Sequence, residues 1–255
     1  MTAPDFPTTR DAILDGRLTL IQPAKGHRIG HDAVLLAATA PRDTYLIADF
    51  GAGVGGAGLA ALVRLPGAKG ILVEIDPALA RLAEENVASN GLAGRCRVVC
   101  ADVRSLGKPG GPPVPEADGA DLVLANPPFN MESAHRTSPD AGRALAHMAD
   151  AGTLEDWATA AYRCLTPGGR LAMILRPTEL APLLATLEGR FGAAELMPVH
   201  PRPGAPAVRL MVRAVKGRRT PPAILPSFIL ANADGMPTDV AAAVLRGLEP
   251  LPLPS

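Results

Sequence analysis

Residues 126–129 read Asn-Pro-Pro-Phe and follow directly on an apolar run, Leu122-Val123-Leu124-Ala125. The run has the composition of a buried strand. Proline fixes φ and carries no amide hydrogen, and the residue before a proline is driven to extended geometry. The strand therefore ends in a stiff segment that presents carbonyl oxygens without competing backbone donors. Asn126 adds a side-chain amide oxygen. Two such acceptors suit an –NH2 group held by both hydrogens, with Pro127 stiffening the grip. Phe129 offers a flat apolar face to a planar group carrying that amine. An exocyclic amine on a base or an amide is a weak nucleophile because its lone pair is delocalised. Acceptors on its hydrogens localise and aim that pair, so the chemistry needs positioning more than a strong base. The structural alternative is a proline-terminated strand with an exposed phenylalanine.

Three acids sit at the ends of other apolar runs. Asp49 closes "YLIADF" and opens "DFGAGVGGAG", in which Gly51, Gly53 and Gly56 fit G-x-G-x-x-G. That spacing alone serves any dinucleotide as well. A carboxylate beside the turn suits a cationic amine better than a pyrophosphate, which it would repel. This tilts the cofactor toward S-adenosylmethionine, although Asp49 can instead hold amides of its own turn. Glu74 ends "GILVE", in the place where an acid meets ribose hydroxyls; otherwise it is a solvated loop acid. Asp102, in "CADV", can accept from an adenine amine or cap its loop. Asp76-Pro77 reads as an N-cap with proline at the first helical position.

Short apolar runs near 45–51, 70–76, 97–103, 120–126 and 170–176 alternate with helical patterns at 55–65, 77–90, 153–164 and 178–190. Alternation of this kind predicts right-handed βαβ units and an α/β, Rossmann-like, doubly wound sheet that is mostly parallel. The runs at 193–200 and 208–215, joined by "PRPGAP", form a hairpin and bring in an antiparallel strand. "LDGRLTLIQ" (14–22) predicts a small hairpin turning at Asp-Gly. We expect one domain over residues 1–219, its N-terminal hairpin and helix occupying 1–41, and a Pro-rich extension over 220–255. Residues 107–119 form a Pro/Gly-rich loop.

The chain has 255 residues, 47% hydrophobic, with a formal net charge of zero. No apolar run is long enough to span a bilayer and no leader layout opens the chain, which predicts a cytoplasmic protein without a membrane partner. Cys96, Cys100 and Cys164 lack C-x-x-C spacing. They read as small core residues in a reducing compartment, not as metal ligands. Between Arg190 and Arg219 there are seven Lys/Arg against the single acid Glu195. Such a segment fits a polyanion or, more simply, solvated sheet edges.

Taken in order, "DFGAGVGGAG", "VEID", "CADV", "LANPPF" and "LTPGGRLAMI" resemble the class I S-adenosylmethionine-dependent methyltransferases with an N-P-P-[FY] motif, the amino-methylating branch. The resemblance implies a seven-stranded sheet with an antiparallel last strand. It implies that Asp49, Gly51 and Gly53 hold the methionine part, Glu74 the ribose and Asp102 the adenine, while Asn126, Pro127 and Phe129 hold the target amine and its ring. Asn126 thus borders both cofactor and substrate. "RIGHDAVLLAATAP" (28–41) and "HPRPGAPAVRLMVRAVKGRR" are similar to segments of bacterial adenine-N6 methyltransferases that modify valine tRNA beside the anticodon. Within the first, Asp32 also reads as an N-cap. The resemblance makes tRNA the partner, with Arg136, Arg143, Arg218 and Arg219 as candidate RNA contacts. The same motif serves guanine-N2 methylation of ribosomal RNA, adenine methylation of DNA and glutamine-N5 methylation of protein; the basic segment disfavours the last. A nicotinamide-dependent oxidoreductase would leave Asn-Pro-Pro-Phe without a purpose. A non-catalytic RNA-binding relative would not need the four polar residues Asp49, Glu74, Asp102 and Asn126.

Overall fold

A computed structural model describes residues 6–25, 29–112, 114, 119–128 and 154–254. A hairpin comes first, with β1 (Thr8–Ile13) antiparallel to β2 (Leu18–Pro23) and Ile13 opposite Leu18. Asp15-Gly16 lies at its tip as expected. The loop has four residues, however, and the first strand lies upstream of 14–22. Leu14 is the reason: it turns its side chain into the core, and Leu14, Asp15 and Gly16 all take positive φ.

Then follow α1 (His31–Ala37), β3 (Leu46–Phe50), α2 (Gly56–Arg64), β4 (Lys69–Glu74), α3 (Pro77–Ser89), β5 (Cys96–Cys100) and β6 (Ala120–Ala125). After the Asn-Pro-Pro segment come α4 (Leu154–Cys164), β7 (Leu165–Leu175), α5 (Leu180–Leu187), β8 (Phe191–His200) and β9 (Arg209–Lys216). Seven of these strands form a sheet in the order β8-β9-β7-β6-β3-β4-β5. Its strands are parallel except β9, which runs antiparallel to both β7 and β8. The expected architecture and its antiparallel last strand are both present.

Period-two alternation feeds two cores. Ile47, Leu72, Leu122, Leu124 and Ile174 point to the face covered by α1, α2 and α3. Ala48, Phe50, Val73, Val123 and Met173 point to the face covered by α4 and α5. A sheet buried on both sides needs such continuous apolar strands. Asp76 caps α3 as read from sequence, its Oδ1 accepting from the Ala78 amide at 2.7 Å, with Pro77 at the first position. Cys96 and Cys164 are core residues, but Cys100 is exposed: it ends the edge strand β5, beyond cover of a helix.

Residues past 219 rejoin the sheet. β10 (Ala223–Ile224) and β11 (Phe228–Ile229) pair parallel with the outer edge of β8. Then α6 (Asp239–Leu245), capped by the Thr238 hydroxyl, brings Ala241 and Val244 into the first core, and the Leu251 amide bonds to the Ala38 carbonyl at 2.9 Å. No helix among the described residues is long and apolar enough to cross a membrane.

Candidate active site

The order in which strands are added to the sheet reverses at β3. Helices after β3 and β4 cover one face, and α4, after β6, covers the other. Strands β3 and β6 are therefore the switch point, outside whose carboxyl ends a doubly wound sheet opens its crevice. The register places Phe50 opposite both Ala125 and Val73. Gly51 and Asn126 thus leave adjacent strands at one level. Asp49, Gly51, Gly53 and Asn126 line a single cavity of about 440 Å³. Pro127 is buried behind Asn126, which is half-buried. Phe129 lies outside the described residues.

The turn after β3 is built for close approach. Gly51 has φ +62°, and a Cβ there would stand 2.5 Å from the Trp157 ring. Gly53 has φ +57° with open space where its Cβ would be; its amide donates to Glu74 Oε2 at 2.7 Å. The other Glu74 oxygen accepts from the Asp76 amide at 2.9 Å. Glu74 is buried, not solvated. It ties the glycine turn to the β4–α3 turn, and it is not on the cavity wall.

Asp49 is 3% exposed, and its Oδ2 accepts from the Gly58 amide at 2.7 Å. Burial raises its carboxyl from 3.8 to about 7, against the Gly58 hydrogen bond that lowers it and with the charge of Glu74 adding to the rise. A half-protonated carboxyl in a cavity wall gains by meeting a cation. Asp102 caps the short turn Val103–Ser105 through the Arg104 amide at 2.8 Å and pairs with the Arg104 guanidinium at 2.8 Å. The loop-cap reading of Asp102 therefore holds; it does not line the cavity.

The opposite wall is Pro23, Ile29 and the start of α1. Its placement rests on residues that sequence reasoning passed over. Asn86 on α3 and Asn90, which caps its C-terminus one turn later, pair with the free edge of β2. The Asn86 carboxamide donates to Ile21 O and accepts from Ile21 N, at 2.9 and 2.7 Å; Asn90 does the same to Thr19. Asn86 also reaches Val54 O in the glycine turn at 2.9 Å. Gln22, 2% exposed, accepts from the Ile29 amide at 2.8 Å. The available signal was two asparagines at i and i+4 in an otherwise helical run. Asp32 is not the N-cap: Gly30 holds that position without a side-chain bond. Asp32 lies inside the first turn and pairs with Arg209 at 2.7 Å, both facing the cavity.

The basic segment divides. Arg190 pairs with Glu155, Arg213 with Glu195, and Lys216 donates to Leu165 O and stands over the Tyr162 ring. Arg202, in the β8–β9 turn, is exposed at the crevice end. Arg218 and Arg219 are exposed past the far end of β9, an end that lies about 23 Å from Arg209 at strand spacing. They line a separate groove of about 790 Å³ with Tyr162 and Phe191. The candidates Arg136 and Arg143 lie outside the described residues.

Comparison with known proteins agrees with this geometry. The family model of the methyltransferase small domain matches residues 28–200. The chain is 33% identical over 162 residues to the tRNA1(Val) (adenine(37)-N6)-methyltransferase of Tolumonas auensis, covering 62% of this chain and 63% of that one. It is 30% identical over 189 residues to the protein of the same name from Bacteroides thetaiotaomicron, covering 72% and 75%. The chain thus spans somewhat under two thirds of the first relative's length. Among solved structures, that of a predicted O-methyltransferase from Agrobacterium tumefaciens superposes with a TM-score of 0.71 at 29% identity, covering 86% of this chain and 97% of that one.

Proposed function

The chain belongs to the methyltransferase small domain family, and we propose that it transfers a methyl group from S-adenosylmethionine to the exocyclic N6 amine of adenine 37 in valine tRNA. The observation that carries this is the shared cavity: Asn126 ends β6 on its wall, and the buried carboxyl of Asp49 faces the same space. The residues present fit the cofactor. Asp49 meets the ammonium group, and Gly51 and Gly53 leave room for the methionine part. Glu74 keeps acceptor capacity for ribose hydroxyls, since a carboxylate has about four lone-pair sites and two are filled by amides. Asp102 serves the adenine amine from beyond the cavity wall. When bound, S-adenosylmethionine supplies an electrophilic methyl on a sulfonium.

Asn126 and the Pro127 carbonyl oxygen accept the two hydrogens of the target amine and aim its lone pair. Phe129 stacks on the flipped base. Asn126 is no base at neutral pH, so the amine proton leaves to water after transfer. Arg136 and Arg143 contact phosphates near the base, and Arg218 and Arg219 contact the RNA farther away. The setting is the cytoplasm. Mass spectrometry of nucleosides from total tRNA, with and without the gene, tests the reading. Loss of N6-methyladenosine from valine tRNA is expected. An unchanged tRNA profile with a missing N2-methylguanosine in ribosomal RNA would overturn the substrate.

A further inference from the structure

The end of the sheet opposite the crevice is also built of charged and aromatic side chains. The parallel strands start there and β9 ends there: Leu46 lies opposite Lys69, Ala120 opposite Leu165, and Phe191 opposite Lys216. Two grooves open at this end. One, of about 790 Å³, is the groove of Tyr162, Phe191, Arg218 and Arg219. The other, of about 690 Å³, is lined by Tyr45, Lys69, Arg95, Arg97, Asp121 and Thr166 among others. The start of β7 lies between them in the strand order. Their linings carry five Lys or Arg against two acids, Asp121 and Glu188. Asp121 is further occupied, its Oδ2 accepting from the Tyr45 and Leu46 amides at 3.0 and 2.7 Å.

Part of this charge has an internal duty. Helices α2 to α5 end here, and the carbonyls of a helix end favour cations. Arg95 donates to the carbonyls of Leu62, Leu65 and Ala68, and Arg190 pairs with Glu155. Arg42, Arg170, Arg218 and Arg219 have no hydrogen bond or ion pair among the described residues. Tyr45, three positions after Arg42, is 57% exposed, and the Lys69 ammonium stands 5.3 Å from its ring centre. An aromatic ring left in water among cations suits nucleobases and phosphates together. Seven strands at about 4.8 Å spacing spread this surface over about 29 Å, a width that a polymer spans and a small anion does not. We propose that the amino-terminal ends of the strands form a second RNA-docking surface, apart from the crevice. Tyr45 stacks a base there, Arg42 and Arg170 join Arg218 and Arg219 in holding phosphates, and Lys69 and Arg97 add their charge. This rests on tRNA as the substrate. Only the length of a strand, about 13 Å for β3, separates the two ends of the sheet. A folded tRNA has two arms set at a right angle, so one can present its loop to the crevice while the other crosses the strand starts.

Two RNAs separate this surface from the crevice: whole valine tRNA and its isolated anticodon stem-loop, each titrated against the full chain by fluorescence anisotropy. The unaltered protein is expected to bind the whole tRNA more tightly. Tyr45→Ala is expected to weaken whole tRNA about five- to a hundred-fold, the range of one lost stacking contact, and to leave the stem-loop unchanged. Arg42→Gln combined with Arg170→Gln is expected to lower the salt slope of whole-tRNA binding by about one to two, again without effect on the stem-loop. Thermal unfolding checks that each variant is folded. Equal affinity of the unaltered protein for the two RNAs would overturn the inference, as would whole-tRNA binding unchanged in both variants. Equal weakening of both RNAs by Tyr45→Ala would also overturn it, since the effect would then reach the crevice. If the unaltered protein binds neither RNA, the substrate reading itself fails, and the inference falls with it.

Discussion

Replacing Asp49 with asparagine is expected to stabilise the ligand-free protein while abolishing its grip on a cationic amine. The size follows from burial. Asp49 is raised from 3.8 to about 7, chiefly because its surroundings exclude water. One pKa unit corresponds to about 1.4 kcal/mol, so keeping this carboxylate ionised in the fold costs roughly 4 kcal/mol. The folded value lies above the unfolded one. Between about pH 4 and 7 the folded chain therefore keeps a proton that the unfolded chain has lost. Stability contributed by this group is full below that window, falls as pH rises through it, and is flat above it. Asparagine cannot ionise, and its carboxamide oxygen can still accept from the Gly58 amide. Asp49→Asn should thus gain up to roughly 4 kcal/mol at pH 8 and nothing at pH 4, or about 2–4 °C in melting temperature per kcal/mol. Thermal unfolding of both proteins from pH 4.5 to 8 reads the difference directly, since every other titrating group is common to the two. Parallel curves would refute the reasoning.

The ligand side of the same carboxyl gives an independent reading. A cationic amine favours the ionised form, so binding below pH 7 must expel the proton. S-Adenosylhomocysteine should release close to one proton at pH 6 and almost none at pH 8, measured by calorimetry in two buffers of different ionisation enthalpy. Its affinity should climb by up to about tenfold per pH unit below 7 and then level off. Binding without proton release at pH 6 would show that Asp49 does not meet the amine.

Asn126→Ala should abolish methyl transfer and leave S-adenosylhomocysteine affinity nearly intact; retained turnover would remove Asn126 from the chemistry. Trp157 is the only tryptophan of the chain, and it packs against Gly51. Ligand binding should therefore change intrinsic fluorescence, and a flat titration at saturating ligand would place the ligand elsewhere. Gly51→Ala combines a positive φ with a Cβ 2.5 Å from that ring. It should destabilise the protein by about 1–3 kcal/mol in denaturant unfolding. Neutralising Arg218 and Arg219 together should lower the salt slope of tRNA binding by up to about two without changing kcat at saturating tRNA; an unaltered slope would leave them as solvated residues at the sheet edge.

The sheet was legible because each strand is an apolar run bounded by turn residues, and because the helices between them carry ordinary stop signals such as Asn90-Gly91. The glycine turn, Asp49 and Asn126 were legible for a related reason: they sit at strand ends, and register brings strand ends together. The wall facing them was not. Asn86, Asn90 and Gln22 act on the free edge of β2 and on Ile29 from 7 to 71 positions away. No local pattern encodes such a pairing. Asp32 misled because an aspartate ahead of an apolar helix has the signature of a cap. Its partner, Arg209, lies in a basic segment where charge counting gives every residue the same weight. In the fold that segment holds a cavity-facing pair, a buried arginine paired with the half-buried Glu195, and exposed arginines at opposite ends of one hairpin.

Glu74 shows why ligand contacts and loop order are hard to separate here. Sequence offered two readings of it, a ribose ligand or a solvated acid. The buried carboxylate instead holds one amide from each of the two turns that flank the crevice. Both turns are then set before any ligand arrives, and the conformational entropy of fixing them is not charged to binding. The same carboxylate has about two lone-pair sites left beyond the two amides it holds. Asp49 works on the same plan, one oxygen spent on the Gly58 amide and the cavity open to the rest. Asp102 differs: its oxygens already share the Arg104 amide and guanidinium. Any further donor must compete there with a charged partner. The two turns that flank the crevice are therefore set in advance by Glu74, while Asp102 is held by its own arginine.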